Sequence, residues 1–290
     1  MHRAVMGVIV GGYAFCGIAM GAGHQPYAPG LKLVATGGRA VYSAGSARIH
    51  TPGGHYRPMA GFDTCKAPSL RTMRVWRARF SASGIYIGGE NIACDYGYLS
   101  RSWVRTVKAM GWSLLPIYVG PQPPCDRYPV RIRRRQAAAE GRAAADGAIA
   151  DATMLGIGRG SPVYYDMEAY NRTKARCVTA VLTFLDAWTR RLNARGYVSG
   201  LYSSADAAIA DLQSRSRVDG HRLAKPQCVW IALWDHRKNL AHSRWPLGER
   251  SKQYSGPHWV KIGGIRLNID SDLVDGPVVR DHHRTRGRNR

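Results

Sequence analysis

Acidic side chains and long hydrophobic runs are the features that this sequence has least of. Its 290 residues contain 19 Asp and Glu against 42 Lys and Arg, which gives a formal net charge of +23. Beyond the N-terminus no apolar stretch is long enough to span a bilayer, and no Gly-X-Y period or heptad repeat occurs. Collagen, coiled coil and multi-span membrane protein are therefore excluded. Apolar residues still make up 45% of the chain, which is enough for a sizeable core.

Several motifs with known chemistry are also missing. The sequence has no C-x-x-C pair, so a zinc site or a thioredoxin-like redox site has little support. No G-x-G-x-x-G follows the first predicted strand, which argues against a dinucleotide-binding fold. We predict neither a cofactor nor a bound metal.

The excess of positive charge favours an anionic partner, and a solvated Arg-rich surface is the simpler alternative. A dense basic run lies at 127–135, ahead of an Ala-rich segment. Because no recognised nucleic-acid-binding motif accompanies this run, we expect no nucleic-acid partner. Anionic polymers of a cell wall, bound through the basic segments, stay open as partners.

The N-terminus has the features of a secretory signal. Arg3 provides a short positive region, an apolar Gly-rich segment follows, and Ala19-Met20-Gly21 offers small residues for cleavage. We predict a signal peptide over 1–23 in a secreted or cell-wall-associated protein, with no stable membrane span after cleavage. A retained membrane anchor is the alternative.

The remaining chain divides into three parts. Residues 24–58 are rich in Pro and Gly and are predicted to form a linker, with a weak hairpin as an option. Residues 59–278 alternate strand-like and helix-like patterns, which predicts a single domain. Residues 279–290 form a basic tail that we expect to be disordered.

Eight strand-like runs occur in the predicted domain: Met59–Asp63, Gly84–Gly88, Ser113–Val119, Pro162–Glu168, Val198–Ser203, Val229–Asp235, Ser251–Ser255 and Ile265–Asp270. Helical patterns lie between the earlier ones, capped by Ser69 and by Ser100 or Ser102, and spanning 136–155, 174–195 and 205–212. This alternation predicts an α/β fold with a parallel sheet, closed as a modified (β/α)₈ TIM-type barrel. The later units lack clear helices, so we expect irregularity there. An open doubly wound sheet is the alternative.

Acids lie at the ends of several predicted strands, where such a barrel has its active face. Asp63 ends the first strand and Asp270 ends the eighth. The fourth strand ends with Asp166 and Glu168, which share one strand face because side chains alternate. Neighbouring carboxyl groups push one pKa upwards, which suits the general acid of glycoside hydrolysis. A solvated pair of acids is the alternative.

Short motifs in barrel-like order support this hypothesis. They are GFDTC (61–65), IYIGG (85–89), LLPIYVG (114–120), YYDMEAY (164–170), GLYSS (200–204), WIALWD (230–235), KQYS (252–255) and NIDSD (268–272). Together they resemble the actinobacterial glycoside-hydrolase-like domain family (domain of unknown function 1906), which is related to the family 25 lysozyme-type muramidases. The resemblance covers about residues 59–278 and implies a modified (β/α)₈ barrel in an exported protein.

The resemblance also implies roles for the four acids. Glu168 is implied as the proton donor, and Asp166 as the group that orients or stabilises the reacting acetamido group of the substrate. Asp63 and Asp270 are expected to shape the charge of the site. The implied substrate is a cell-wall glycan with acetamido sugars, such as peptidoglycan.

Side chains near the strand ends fit a sugar site, because aromatic faces stack on sugar rings and polar groups bond to hydroxyls. We predict that substrate is bound by Tyr86, Tyr118, Tyr164, Tyr202, Trp234, Gln253 and Tyr254. Ordinary packing inside the barrel is the alternative for each aromatic ring.

Export would allow the cysteines to form disulfides. Cys65 and Cys94 follow the first and second strands, while Cys125 and Cys177 follow the third and fourth. Loops after adjacent parallel strands lie on the same face, so the predicted bridges are Cys65–Cys94 and Cys125–Cys177. Cys228 precedes the sixth strand at the opposite end and is expected to be free and buried. Reduced thiols in a protein that is not exported are the alternative.

The leading hypothesis is an exported glycoside-hydrolase-like enzyme that acts on cell-wall glycan through Asp166 and Glu168. One alternative is a glycan-binding protein that has the same barrel and no turnover. Another is a basic structural protein of the cell wall.

Overall fold

The computed structural model describes residues 58–240, 243 and 245–280. The predicted signal segment, the linker up to residue 57 and the tail from residue 281 lie outside the described residues. The strands are β1 (Met59–Asp63), β2 (Ala82–Gly88), β3 (Ser113–Tyr118), β4 (Pro162–Asp166), β5 (Val198–Ser204), β6 (Arg217–Val218), β7 (His221–Arg222), β8 (Cys228–Ala232), β9 (Arg250–Ile262) and β10 (Ile265–Val274). The helices are α1 (Leu70–Trp76), α2 (Arg101–Ala109), α3 (Ala137–Met154), α4 (Ala175–Ala194) and α5 (Ala208–Ser214), with a 3₁₀ turn at Arg134–Gln136.

Eight of the strands close into a barrel in the order β1-β10-β9-β8-β5-β4-β3-β2, while β6 and β7 form a separate two-stranded sheet. The modified (β/α)₈ architecture predicted from the sequence is therefore confirmed. All neighbouring barrel strands are parallel except at β10, which runs antiparallel to both β1 and β9. The reversal follows from the turn between β9 and β10, where Gly263 and Gly264 both have positive φ, as a tight hairpin requires.

The reversed strand corrects the expected position of Asp270. We placed it at the C-terminal end of a parallel strand, but it lies within β10, opposite Asp63 of β1. Because β10 descends from the mouth of the barrel to Val274, its middle residues reach the level where the parallel strands end. Asp270 thus lies at the mouth, for a different geometric reason from the one expected.

The helices begin where short polar side chains cap them. Ser69 accepts a hydrogen bond from the backbone of Thr72 at the start of α1, and Ser100 accepts one from Trp103 at the start of α2. The long helices α3 and α4 pack on each other and cover the barrel beside β2 and β5. Among the described residues, no helix separates β8 from β9, as the missing helical pattern predicted.

Buried side chains form two layers. The larger layer lies between the barrel and the helices, and includes the aromatic cluster of Phe62, Trp76 and Trp112. The smaller layer fills the barrel, where Trp230 is fully buried between Tyr164 and Tyr202. Trp230 therefore forms a floor that separates the mouth from the lower half of the barrel.

Two disulfides connect the loops at the mouth, as predicted. Cys65 pairs with Cys94 at a Cα–Cα distance of 5.8 Å, and Cys125 pairs with Cys177 at 5.9 Å. Cys228 is free and buried, and burial raises the pKa of its thiol to about 12. Both pairs fit the ordinary Cα separation of a disulfide.

The packed domain continues two residues beyond the predicted boundary at 278. Val279 is buried and its backbone amide donates to Leu114, while the amide of Arg280 donates to Ser161. These contacts attach the chain to the N-terminal ends of β3 and β4. Over the part of the chain that the structure describes, we find no helix with the length and apolarity to cross a membrane.

Candidate active site

Four carboxyl groups meet at the mouth of the barrel. Asp63 and Asp166 are the last residues of β1 and β4, and Asp270 lies opposite Asp63. Glu168 lies two residues beyond the end of β4, so it belongs to a loop and not to the strand that we predicted. All four carboxyl groups raise the pKa of the Tyr202 hydroxyl, after burial as the largest cause. The Tyr202 hydroxyl therefore lies within the electrostatic reach of all four groups.

Gln253 of β9 connects the polar side chains at this point. Its Oε1 accepts hydrogen bonds from the Tyr202 hydroxyl at 2.9 Å and from the Trp234 indole at 2.7 Å. Its Nε2 donates to Asp63 Oδ2 at 2.8 Å, and the Tyr86 hydroxyl donates to Asp63 Oδ1 at 3.2 Å. This network fixes the amide of Gln253 and holds the Asp63 carboxyl rigidly.

Burial dominates the electrostatics around Asp63. It raises the pKa of Asp63, and hydrogen bonds from Gln253 and Tyr86 oppose the rise. Burial and then the charge of Asp63 raise the pKa of Asp270 to about 9. Asp272, which accepts a hydrogen bond from the Trp230 indole at 3.1 Å, also has a pKa well above the usual range because it is fully buried. The site thus holds protons at neutral pH.

The D-x-E pair has the electrostatics expected of a general acid. Burial raises the pKa of Glu168, and the charge of Asp126 raises it further. Burial and the charge of Glu168 hold the pKa of Asp166 well above its usual range. Asp166 Oδ1 is buried with no hydrogen-bond partner among the described residues. The fold therefore leaves this polar oxygen unsatisfied.

Gln122 positions the two acids through the backbone. Its side chain is buried; Nε2 donates to the Asp166 carbonyl at 2.7 Å, and Oε1 accepts from the Glu168 amide at 3.0 Å. No sequence pattern marks Gln122, since a lone amide in a loop is not distinctive. Its one signal is the position of VGPQ (119–122) directly after β3, which leads from the strand to the mouth.

Four of the seven predicted substrate-binding residues lie at the mouth: Tyr86, Tyr202, Trp234 and Gln253. Trp234 is 39% exposed, so its ring is available for contact. The ring lies against Gly256, where a Cβ would approach it to 2.7 Å, so a side chain at this position would displace it.

The other three predicted substrate-binding residues are corrected by the structure. Tyr164 is fully buried beneath Trp230, and its hydroxyl donates to the Pro277 carbonyl at the lower end of the barrel. Tyr118 faces the helices and stacks on Trp188. Tyr254 follows the inward-facing Gln253, so it faces outwards, since successive strand side chains alternate.

The acid at the end of the sixth predicted strand does not join the cluster. Asp235 pairs with the buried ammonium of Lys252 at 2.7 Å, which lowers the pKa of Asp235. Lys252 also donates to Asn239, so the pair fixes the loop after β8. The described residues contain no group of three or more His, Cys, Asp or Glu side chains placed to hold a metal ion.

The β9–β10 hairpin adds a wall that the sequence did not predict. Beyond Gln253 and Asp270 the hairpin has no other strand beside it. One face packs on the core, whereas the other exposes Trp259, with the Arg266 guanidinium 4.3 Å from its ring centre. Asn268 lies on this exposed face, and Asp270 is two residues further along the same face. The exposed face is thus continuous with the mouth.

A closed α/β barrel with clustered carboxyl groups at its mouth is the architecture expected of a glycoside-hydrolase-like domain. The chain belongs to the family described as Rv2525c-like, glycoside hydrolase-like domain, whose sequence model matches residues 74–274. Asp166, Glu168 and Asp270 fall within the match, and Asp63 precedes it. A comparison with curated proteins gives no significant match.

Comparison with solved structures finds several chains that are similar to this one, of which the first reported has the same fold. An uncharacterised protein of B. stearothermophilus is 19% identical with a TM-score of 0.51, over 75% of this chain and 96% of that chain. A family 25 glycosyl hydrolase from Bacillus anthracis is 15% identical with a TM-score of 0.49, over 79% of this chain and 94% of that chain. The catalytic domain of an endolysin from bacteriophage P40 of Listeria monocytogenes is 12% identical with a TM-score of 0.46, over 77% of this chain and 95% of that chain. At these identities the likeness concerns the fold alone.

Proposed function

We propose that this protein hydrolyses glycosidic bonds of an acetamido-sugar polymer of the cell wall, such as peptidoglycan, and that it acts outside the cytosol. The observation that carries the proposal is the placement of four carboxyl groups at one mouth: Asp63 and Asp166 end β1 and β4, Asp270 lies opposite Asp63, and Glu168 follows β4 by two residues. Two disulfides support a location outside the cytosol, because thiols are kept reduced inside it.

Glu168 is assigned as the proton donor, as the family resemblance implies, and burial and then the charge of Asp126 raise its pKa. It gives its proton to the glycosidic oxygen as the bond from that oxygen to the anomeric carbon breaks. The electron pair of the broken bond stays on the leaving oxygen. The carbonyl oxygen of the substrate's acetamido group forms a bond to the anomeric carbon in its place.

Water completes the reaction. It attacks the anomeric carbon while passing a proton to the Glu168 carboxylate, so the acetamido oxygen leaves and Glu168 regains its acid form. Asp166 Oδ1 is buried with no hydrogen-bond partner among the described residues, and a substrate that displaces the side chains covering it would let it accept a hydrogen bond from the acetamido N–H and orient that group. Asp63 supplies negative charge beside Asp166, while Asp270, whose pKa is raised to about 9, holds its proton next to Asp63.

The glycan lies across the mouth in this proposal. Trp234 supplies an exposed ring beside Gln253, and Tyr86 and Tyr202 supply hydroxyls next to the acids. Trp259 of the hairpin extends the aromatic surface beyond the rim. Rings and hydroxyls in this arrangement suit a chain of sugars better than a single sugar.

The test replaces Glu168 by Gln, which keeps the shape and removes the acid. We expect the release of reducing ends from purified peptidoglycan to fall by roughly 10²-fold or more, since general acid catalysis contributes on that order. The matched control is E249Q, because Glu249 precedes β9 at the opposite end of the barrel. Undiminished release by E168Q would refute the assignment. Binding of peptidoglycan by the wild type without any release would favour the glycan-binding alternative.

A further inference from the structure

A basic groove lies outside the barrel mouth, between the start of α3 and the first two turns of α4. It has a volume of about 760 Å³ and is lined by Arg133, Arg134, Arg135, Arg176, Thr179 and Thr183, among others. A neighbouring recess of about 480 Å³ adds Lys174 and is closed by the Cys125–Cys177 disulfide. The 3₁₀ turn before α3 places the consecutive arginines along one side of the groove.

Most of this charge is not neutralised by the protein. Arg133 pairs with Glu140. Arg134, Arg135 and Arg176 have no ion-pair partner among the described residues, although Arg residues elsewhere pair with Asp146, Asp186 and Asp211. The one acid in the lining, Asp219, accepts a hydrogen bond from Thr183. Gathering like charges around one concave surface is unfavourable unless an anion occupies it.

The two helices add to the positive potential. Both α3 and α4 begin at the groove without a side-chain cap; the first turn of α4 has no acidic residue, whereas that of α3 carries Glu140, which pairs with Arg133. The first amides of a helix have no intrahelical acceptor, and the helix dipole makes this end positive. Ala175 and Arg176 bring such amides to the groove, beside the unpaired guanidinium groups.

The shape of the groove favours a chain over a small anion. Arg176, Thr179, Ala180 and Thr183 follow one face of α4, a length of about 10 Å at the helical rise per residue. Arginine forks bind phosphate oxygens in pairs, and threonine hydroxyls can donate to further oxygens. Among the described residues no aromatic ring lines either part of the groove, so the aromatic platforms on which single-stranded nucleic acids commonly stack their bases are missing.

We propose that this groove binds a phosphodiester-linked polymer without bases, of the kind that a cell wall carries. The groove and the mouth share the loop after β3, since Cys125 closes the recess and its neighbour Asp126 lies near Glu168. A polymer held in the groove would keep attached glycan beside the mouth. That consequence rests on the proposed function, whereas polymer binding itself does not.

The test measures binding of synthetic poly(glycerol phosphate) to the full chain by fluorescence anisotropy over a range of salt concentrations. The groove variant is R134A/R135A/R176A, and the matched control is R71A/R74A/R105A, which removes the same charge from exposed positions on α1 and α2. We expect the groove variant to bind roughly tenfold more weakly or worse, and its salt slope to fall by about two to three. The affinity of the control variant for the polymer should stay within roughly twofold of the affinity of the wild type.

Several outcomes would overturn the proposal. Equal losses in the two variants would show attraction by overall charge without a site. Tighter binding of single-stranded DNA than of poly(glycerol phosphate), lost in the groove variant, would assign the groove to nucleic acid. Unchanged binding in the groove variant would place the polymer elsewhere.

Circular dichroism and the Tm of both variants verify folding, and because all six arginines are on the surface we expect both to fold. Release of reducing ends is measured separately, so a failed enzyme would not count against the groove.

Discussion

At the scale of single residues, the mouth of the barrel is a site where carboxyl groups retain their protons. Asp63 lies next to Asp270 and Asp272, and the two latter groups have raised pKa values because they are buried beside another acid. Gln253 and Tyr86 donate hydrogen bonds to Asp63 and not to its neighbours. The most direct explanation is that Asp63 carries the negative charge and that its neighbours hold protons.

This electrostatic arrangement predicts a pH-dependent stability. The pKa of Asp270 is raised to about 9 in the folded protein, so folding binds this proton. Its stabilising contribution is therefore full below the ordinary carboxyl pKa of about 4 and is lost as the pH rises towards the folded value. In D270N this titration is absent. We therefore expect the Tm difference, D270N minus wild type, to increase by several degrees between about pH 5 and pH 9, because only the wild type loses stability over this range.

Scanning calorimetry at the two pH values provides the measurement. The matched control is D95N, since Asp95 is exposed and its pKa is lowered by Lys66. Its Tm difference from wild type should not change over this range, because both its folded and unfolded forms are ionised there. A D270N difference that is flat or falls with pH would contradict a proton on Asp270.

At the scale of secondary-structure elements, the β9–β10 hairpin is the largest departure from a regular barrel. It reverses the last strand, brings Asp270 to the mouth from within a strand and exposes Trp259 beyond the rim. Trp259 is 59% exposed, and Arg266 rests on its ring. An exposed Trp face beside a glycan site is suited to stacking on a distal sugar.

Removing this ring should therefore affect long substrates more than short ones. For W259A we expect the KM for polymeric glycan to rise by roughly threefold to tenfold, the equivalent of about 0.5–1.5 kcal/mol of aromatic stacking. The rate on a short soluble oligosaccharide should stay unchanged. L247A removes another exposed apolar side chain ahead of β9 and serves as the control. Equal effects on long and short substrates would exclude a distal role for Trp259.

The sequence predicted the barrel strands well because each is a short apolar run followed by a polar or charged residue. It failed for the second half of β9, beyond Ser255, because Trp259 and Lys261 alternate with half-buried residues and form no continuous apolar run. The direction of β10 was also missed, since strand–helix alternation predicts parallel neighbours and only the Gly263-Gly264 turn indicates otherwise.

The same physical limits apply to the site. Asp63, Asp166 and Glu168 could be predicted because acids after buried strands are scarce in this chain. Tyr118 and Tyr164 could not be assigned correctly from sequence. Tyr118 faces the helices rather than the barrel interior, and Tyr164 faces the interior but lies below the floor made by Trp230. The sequence pattern of a strand shows which side chains alternate. It shows neither whether a given side chain faces the barrel interior or the helices, nor how deep in the barrel it lies.

At the scale of the whole molecule, covalent links hold the loops around the mouth. The disulfides span 29 and 52 residues, and closing loops of these lengths stabilises the fold by about 3–4 kcal/mol each in the chain-entropy view. Both link loops that follow neighbouring strands on the side of the acids. The loops that carry Asp126 and Glu168 are thereby restrained.

Thiol titration tests this covalent framework. After unfolding, the protein purified from outside the cell should show one free thiol, from Cys228, if Cys16 has been removed with the predicted signal segment. Without unfolding, the same thiol should react slowly because it is buried and its pKa is raised. Five reactive thiols after unfolding would contradict both the bridges and the extracellular location.

The central claim is that the carboxyl groups at the mouth hydrolyse a glycosidic bond. Digestion of purified peptidoglycan in oxygen-18-labelled water, with mass spectrometry of the new ends, tests it most directly. The account predicts reducing acetamido-sugar ends that carry the heavy oxygen at the anomeric carbon, because water replaces the acetamido oxygen there. New ends without the label, or no new ends with the wild-type protein, would contradict it.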